Sequence, residues 1–174
     1  MRQVAVMGGG AWATACAQVL ADAGNEVHLW ARDEKVVKDI NENRHNSKFH
    51  PNVKLSSRIK ASSNPEEVLK NKELVFFALP AQSLRQNLES WKTFVSPTAV
   101  FVSLIKGIEN ATKMRITEVM MDVFGCSENR VAALSGPNLA GEIIHRQPTA
   151  STVACADEDV AADIANALAT NLSL

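Results

Sequence analysis

The feature that most constrains this chain is Gly8-Gly9-Gly10-Ala11-Trp12-Ala13, a glycine-rich turn set between an apolar run and a helical stretch. Gln3-Val4-Ala5-Val6-Met7 before it is β-branched and apolar, as a strand buried on both faces must be. After it, residues 12–23 have the alanine and leucine content of a helix, and Gly24 stands where a left-handed C-terminal cap is usual. Glu26-Val27-His28-Leu29-Trp30 then reads as a second strand. Strand, glycine turn, helix and strand within roughly 30 residues make a βαβ unit.

The alternation continues along the chain. Asp33 caps a helix running to about residue 42, and the polar stretch 43–57 reads as a long loop on the ligand side. Ser63-Asn64-Pro65-Glu66 opens another helix, with a capping residue, proline in the first turn and then an acid. Leu74-Val75-Phe76-Phe77-Ala78 is the clearest buried strand, followed by a helix over 82–90 and a strand over 99–103. Helical spacing of Ile116, Val119, Met120 and Val123 predicts a helix over 112–124. A strand over 130–134, a short helix over 138–145, a strand over 150–154 and a helix over 159–169 follow, with a new strand expected to begin at 171–174. The class is α/β: a Rossmann-type, doubly wound, mostly parallel sheet. Its 174 residues suit one domain, here a dinucleotide-binding domain spanning 1–174.

The turn suggests a ligand. Gly8 permits the tight turn, Gly10 leaves the backbone bare where a diphosphate must approach, and Ala13 is small enough for the helix to pack on the strand. Free N–H groups at the helix start attract the phosphates. The ligand class is therefore NAD or NADP. At the end of the second strand, Trp30-Ala31-Arg32-Asp33, a guanidinium stands near the place where an NAD site carries an acid. Arg32 suits a 2′-phosphate, so NADP is favoured, and Asp33 is read as a helix cap.

Composition excludes other classes. A net charge of −1 and no basic stripe interleaved with aromatics give no drive toward nucleic acid. No run approaches the roughly 20 apolar residues that span a bilayer, so membrane insertion is not expected. The start Met1-Arg2-Gln3-Val4 lacks a signal-peptide layout, which points to the cytoplasm. Cys16, Cys126 and Cys155 are widely separated, with Cys16 and Cys155 read as buried inert thiols. The histidines lack the spacing of a zinc helix, so no metal site is expected.

Four ordered segments resemble one family. They are Val4-Ala5-Val6-Met7-Gly8-Gly9-Gly10-Ala11-Trp12-Ala13-Thr14-Ala15, Leu29-Trp30-Ala31-Arg32-Asp33, Lys106-Gly107-Ile108-Glu109 and Ala133-Leu134-Ser135-Gly136-Pro137-Asn138-Leu139-Ala140. Ala78-Leu79-Pro80-Ala81-Gln82-Ser83-Leu84-Arg85 and Gln147-Pro148-Thr149-Ala150 fit the same pattern. Together they resemble the amino-terminal half of the bacterial NAD(P)-dependent glycerol-3-phosphate dehydrogenases. The resemblance implies reduction of dihydroxyacetone phosphate to sn-glycerol 3-phosphate, a phospholipid backbone, and a homodimer for the full protein. It implies that Ala11 and Trp12 meet the pyrophosphate and Arg32 the adenosine end. Lys106 would meet both cofactor and substrate as a catalytic residue, Gly136 and Asn138 the substrate, and Ala140 the cofactor. The family often has Ser at the position of Ala11 and Ser or Thr at that of Asn138. Its Asn-x-x-Tyr-x-Pro-like stretch falls on residues 46–51, with Phe49 at the aromatic place; that stretch borders the cofactor or is a surface loop.

Lys106 also makes chemical sense by itself. It follows a buried strand at the carboxyl end, where ligands bind in open α/β sheets. An ammonium there neutralises a substrate phosphate or stabilises charge on a carbonyl oxygen; a solvated loop lysine is the plainer alternative. Ser135-Gly136-Pro137-Asn138 precedes a helix, so its backbone donors face an anion or simply cap that helix. In the resembled family a helical second half completes the pocket and carries the proton-transferring lysine, expected here beyond Leu174. The expectation is a chain that binds cofactor with little turnover alone. A ketopantoate reductase-like enzyme, a sugar-nucleotide dehydrogenase and a non-catalytic dinucleotide sensor share the turn and stay open as alternatives.

Overall fold

Along the first strand, β1 (Gln3–Met7), side chains alternate between two separate cores. Val4 and Val6 join one, Ala5 and Met7 the other, and all four are fully buried. The run is apolar without polar alternates because both of its faces are covered. The computed structural model describes residues 2–170 and the backbone of residues 172–173.

The other strands are β2 (Glu26–Trp30), β3 (Ile59–Ser62), β4 (Leu74–Phe77), β5 (Val100–Ser103), β6 (Val131–Ser135), β7 (Thr149–Ala150), β8 (Thr152–Ala154) and β9 (Leu172–Ser173). A seven-stranded sheet has the order β3-β2-β1-β4-β5-β6-β8. Every neighbouring pair is parallel except β6 with β8. This is the doubly wound, Rossmann-type sheet expected. Strand order reverses between β1 and β4, the point where such sheets leave a crevice beyond their carboxyl ends.

Helices α1 (Ala11–Asp22), α2 (Glu34–Lys38), α6 (Ala140–Ile144) and α7 (Glu158–Ala167) cover the Val4 face. Helices α3 (Pro65–Leu69), α4 (Leu84–Trp91) and α5 (Ile116–Phe124) cover the Met7 face. There Phe101 and Phe124 stack at 4.1 Å between ring centroids and Trp30 meets Trp91 edge-on at 4.8 Å. Gly24, at φ +92, ends α1 in the left-handed cap expected: Gly24 N–H donates to Ala21 O and Asn25 N–H to Leu20 O. The buried Asn25 amide then donates to Ala167 O at 2.9 Å, tying the ends of α1 and α7 together.

Several boundaries differ from expectation for identifiable reasons. β3 was not expected, because its outer position leaves Lys60 exposed between Ile59 and Ala61 and breaks the apolar run. The helix after Asp33 loosens into a π-type turn at Asp39–Asn43, which Arg44 ends in the left-handed region at φ +57. α5 starts at Ile116, not residue 112, because Glu109 N–H donates to Met114 O and folds residues 108–115 back on themselves. α6 begins at Ala140, not Asn138. The strand expected over 150–154 is split at Ser151, with β7 paired to β9 and β8 to β6. The start expected at 171–174 matches β9 in its backbone, while Asn171 and Leu174 lie outside the described residues.

Candidate nucleotide-binding cleft

The turn after β1 is shaped by missing side chains. Gly8 sits at φ +146, and a Cβ there would lie 2.5 Å from Ala78 O and 3.3 Å from the Ala13 methyl. Only glycine lets the strand end pass so close to the chain leaving β4. A Cβ on Gly9 would lie 2.5 Å from the Ala31 methyl at the end of β2, so the second glycine is held by packing as well. Gly10 differs: a Cβ there meets nothing within 4 Å, and the residue borders open space. Ala13 is 1% exposed against the core. The first N–H groups of α1, those of Ala11, Trp12 and Ala13, have no carbonyl of their own helix within reach.

A cleft of about 830 Å³ opens here, at the carboxyl ends of β1, β2, β4 and β5. That volume suits a dinucleotide-sized ligand. Behind the turn, the loop 45–51 grips its carbonyls. Asn46 Nδ2 donates to Gly9 O at 3.1 Å and to Thr14 Oγ1 at 2.8 Å, and Thr14 Oγ1 donates to Gly10 O at 2.9 Å. His50 Nε2 donates to Ala11 O at 2.9 Å, since a carbonyl only accepts. Asn46 and His50 are both buried, and Asn46 Oδ1 has no partner among the described residues. With its carbonyls drawn backwards, the turn presents N–H groups to the cleft.

At the end of β2, Arg32, Asp33, Lys48 and Phe49 share the wall. Asp33 caps α2, as expected, by accepting from Lys35 N–H at 3.0 Å. Its other oxygen accepts from Lys48 Nζ at 3.1 Å. Lys48 first, and the Lys35 N–H second, hold this carboxyl below the usual range.

Lys106 lies at the opposite end, after β5, with its ammonium donating to Gly136 O at 3.3 Å. Its loop is braced from α4 and the turn before it. Gln82 donates to Ile108 O and accepts from Asn110 N–H, both at 2.9 Å. Arg85 donates to both oxygens of buried Glu109, through Nε at 2.9 and 3.2 Å and through Nη2 at 3.1 Å, and Thr112 Oγ1 adds a third donor. These contacts hold the Glu109 carboxyl below its ordinary value, Arg85 contributing most.

Of the expected site residues, Gly8, Gly10, Ala11, Trp12, Ala13, Arg32 and Lys106 line this cleft together. Gly136, Asn138 and Ala140 do not; they join it only through the Lys106 bond to Gly136 O. The expected anion-facing donors of residues 135–138 need one correction. Asn138 N–H is spent on Gly136 O at 2.8 Å, and Asn138 Oδ1 accepts from Ser151, so its amide nitrogen is the donor left over. Gly136 is required by packing, because a Cβ would lie 2.8 Å from Ala150 O. Cys16 is buried and its thiol pushed up to about 12, whereas Cys155 is only half-buried. The stretch 46–51, left open as a cofactor border or a surface loop, lines the cleft with Lys48 and Phe49, while sequence reasoning missed Gly9, the part played by Lys48 and the grip of Asn46 and His50 on the turn. A run of three glycines hinted at the first, while polar residues in an aperiodic loop carry no signal for the rest.

Bare backbone at Gly8 and Gly10, free N–H groups at a helix start and a crevice at the strand switch point define a dinucleotide-binding domain. Those features fit a pyridine dinucleotide. Residues 3–161 match the family model described as NAD-dependent glycerol-3-phosphate dehydrogenase N-terminus, and the chain belongs to that family. It is 45% identical over 169 residues to a glycerol-3-phosphate dehydrogenase [NAD(P)+] of Corynebacterium urealyticum, covering 97% of this chain and 51% of that protein. A second such enzyme, from Mycobacterium bovis, is 47% identical over 165 residues, with 95% and 49% covered. The fold also resembles the solved glycerol-3-phosphate dehydrogenase of Plasmodium falciparum, with a TM-score of 0.92, 25% identity and coverage of 99% and 51%. The chain spans about half the length of the curated relatives it matches. Among the described residues no helix is long and apolar enough to cross a membrane.

Proposed function

We propose that this chain is the cofactor-binding half of an NAD(P)-dependent glycerol-3-phosphate dehydrogenase, which reduces dihydroxyacetone phosphate to sn-glycerol 3-phosphate. The observation that carries the reading is Lys106, which lines the very cleft that the glycine turn opens. When bound, the reduced nicotinamide supplies a hydride. Gly8 permits the tight turn and Gly10 leaves room for the diphosphate, the N–H groups of Ala11, Trp12 and Ala13 would donate to it, and Arg32 would face the adenosine end. The Lys106 ammonium, steadied by Gly136 O, neutralises substrate phosphate or stabilises charge on the carbonyl oxygen. Gly136 and Asn138 are assigned to the substrate, and Ala140 to the cofactor, on the family resemblance.

The same reading includes a domain spanning 1–174 and a second, helical half that completes the pocket and brings the proton-transferring lysine. A homodimer, a cytoplasmic location and a product used for phospholipids go with it. The doubled length of the relatives supports the second half. Calorimetry of the chain with NADPH, then with glycerol 3-phosphate added over saturating NADP, is the direct test. Binding of the dinucleotide is expected, with little turnover of dihydroxyacetone phosphate. Absence of any dinucleotide binding overturns the reading, and robust turnover by the 174-residue chain overturns its half-enzyme part.

A further inference from the structure

We infer that Lys48 joins Arg32 to form a subsite for the 2′-phosphate of NADP, and that these two cations set the choice between NADP and NAD. This presupposes the dinucleotide reading of the cleft. In an NAD site, an acid near the end of the second strand accepts from the ribose 2′-hydroxyl. Among the described residues Asp33 is the one acid on the cleft wall, and both of its oxygens are engaged. Oδ1 accepts from Lys35 N–H and Oδ2 from the Lys48 ammonium. A neutral hydroxyl must compete with that ammonium.

The cations are arranged the other way. Arg32 is exposed on the wall and has no hydrogen-bond or ion-pair partner among the described residues. Lys48 pairs with Asp33, the two side chains being 59% and 43% exposed, and its ammonium also sits 5.8 Å from the centroid of the exposed Phe49 ring. Exposed pairs are weak, so the ammonium can turn to a phosphate dianion, while Asp33 keeps the Lys35 N–H. The wall then counts Arg32, Lys48 and Lys106 against Asp33, a balance that favours an anion.

The position of Lys48 is not left to a loose loop. Asn46 and His50, two residues to either side, are buried and bonded to Gly9 O and Ala11 O. The segment that presents Lys48 is thus anchored to the turn that would grip the diphosphate. Its backbone stands at a set distance from any dinucleotide bound there.

The test is calorimetric titration of the chain and of Lys48→Met, Lys48→Arg and Arg32→Ala with NADPH, NADH and adenosine 2′,5′-bisphosphate. Lys48 is exposed, so these variants should fold, and melting curves check it. Lys48→Met is expected to weaken NADPH and the bisphosphate about tenfold, the scale of one charge-assisted contact. NADH should change less than about twofold on the same scale, and Lys48→Arg should restore most of the loss. Arg32→Ala should show the same selectivity. Equal losses for NADPH and NADH would mean a merely structural loop and would overturn the inference, as would unchanged NADPH affinity. Failure of the unaltered chain to bind either dinucleotide is a different result, and it removes the dinucleotide reading together with the inference.

Discussion

The two ends of the cleft are built on opposite principles. At the glycine turn the site is made by omitting atoms: a Cβ on Gly8 would lie 2.5 Å from Ala78 O, and one on Gly9 2.5 Å from the Ala31 methyl. That end is fixed by backbone and gripped from behind by Asn46 and His50. At Lys106 the site is made by adding one long side chain, exposed and steadied by a single 3.3 Å bond. Its loop draws rigidity from an ion pair, Arg85 with Glu109, that lies away from the cleft wall. On the proposed function, binding and chemistry would draw on different resources. The first is damaged by a methyl group gained, the second by an ammonium lost.

Mutations can break or sharpen that contrast. Gly8→Ala should hit hardest, since the left-handed φ and the contact with Ala78 O leave the methyl no place. A loss of about 3 kcal/mol is expected, seen as a melting point lower by roughly 6–12 °C, with dinucleotide binding undetectable by calorimetry. A near-native melt would break the comparison. In the full-length protein, Lys106→Ala should lower kcat/KM by about 100- to 1000-fold while dinucleotide Kd moves only about threefold; matching losses in both would erase the division of labour.

Gly10→Ala separates space for the fold from space for the ligand. Because a Cβ at Gly10 touches nothing and its φ of −81° suits alanine, melting should stay within about 1 °C. Dinucleotide affinity should still fall about tenfold or more, because the methyl projects where the diphosphate approaches. Unchanged affinity would deny Gly10 its role.

The smallest effect is expected at Glu109→Gln, about 1 kcal/mol at neutral pH. Arg85 and Thr112 lower the folded-state pKa of Glu109 below its unfolded value, so its contribution is complete above about pH 4.3. It fades as pH falls toward the folded pKa. Urea melts across pH should show wild type and variant converging in acid; a gap that widens there would contradict the pairing.

Much of the fold was legible. The strands at 3–7 and 74–77 stood out because burial on both faces demands apolar runs, the strand at 26–30 because Val27 and Leu29 alternate with less buried neighbours, and the caps at Asp33, Asn64 and Gly24 because capping needs particular side chains or none. β3 was illegible because an edge strand tolerates Lys60, and α5 began late because the fold-back of Glu109 onto Met114 depends on a contact outside the helix. In the site, the glycines, Arg32 and Lys106 could be found by position after a strand. Lys48 could not.

By itself the sequence determined what depends on neighbours along the chain: strand and helix order, the turn that excludes side chains, and the cation following β5. Tertiary structure alone decided which distant polar groups meet, such as Asn46 with Gly9, Lys48 with Asp33 and Arg85 with Glu109. Local geometry repeats with a period and leaves a pattern in the residues. A contact across 15 to 37 positions has no period, so only the folded chain reveals it.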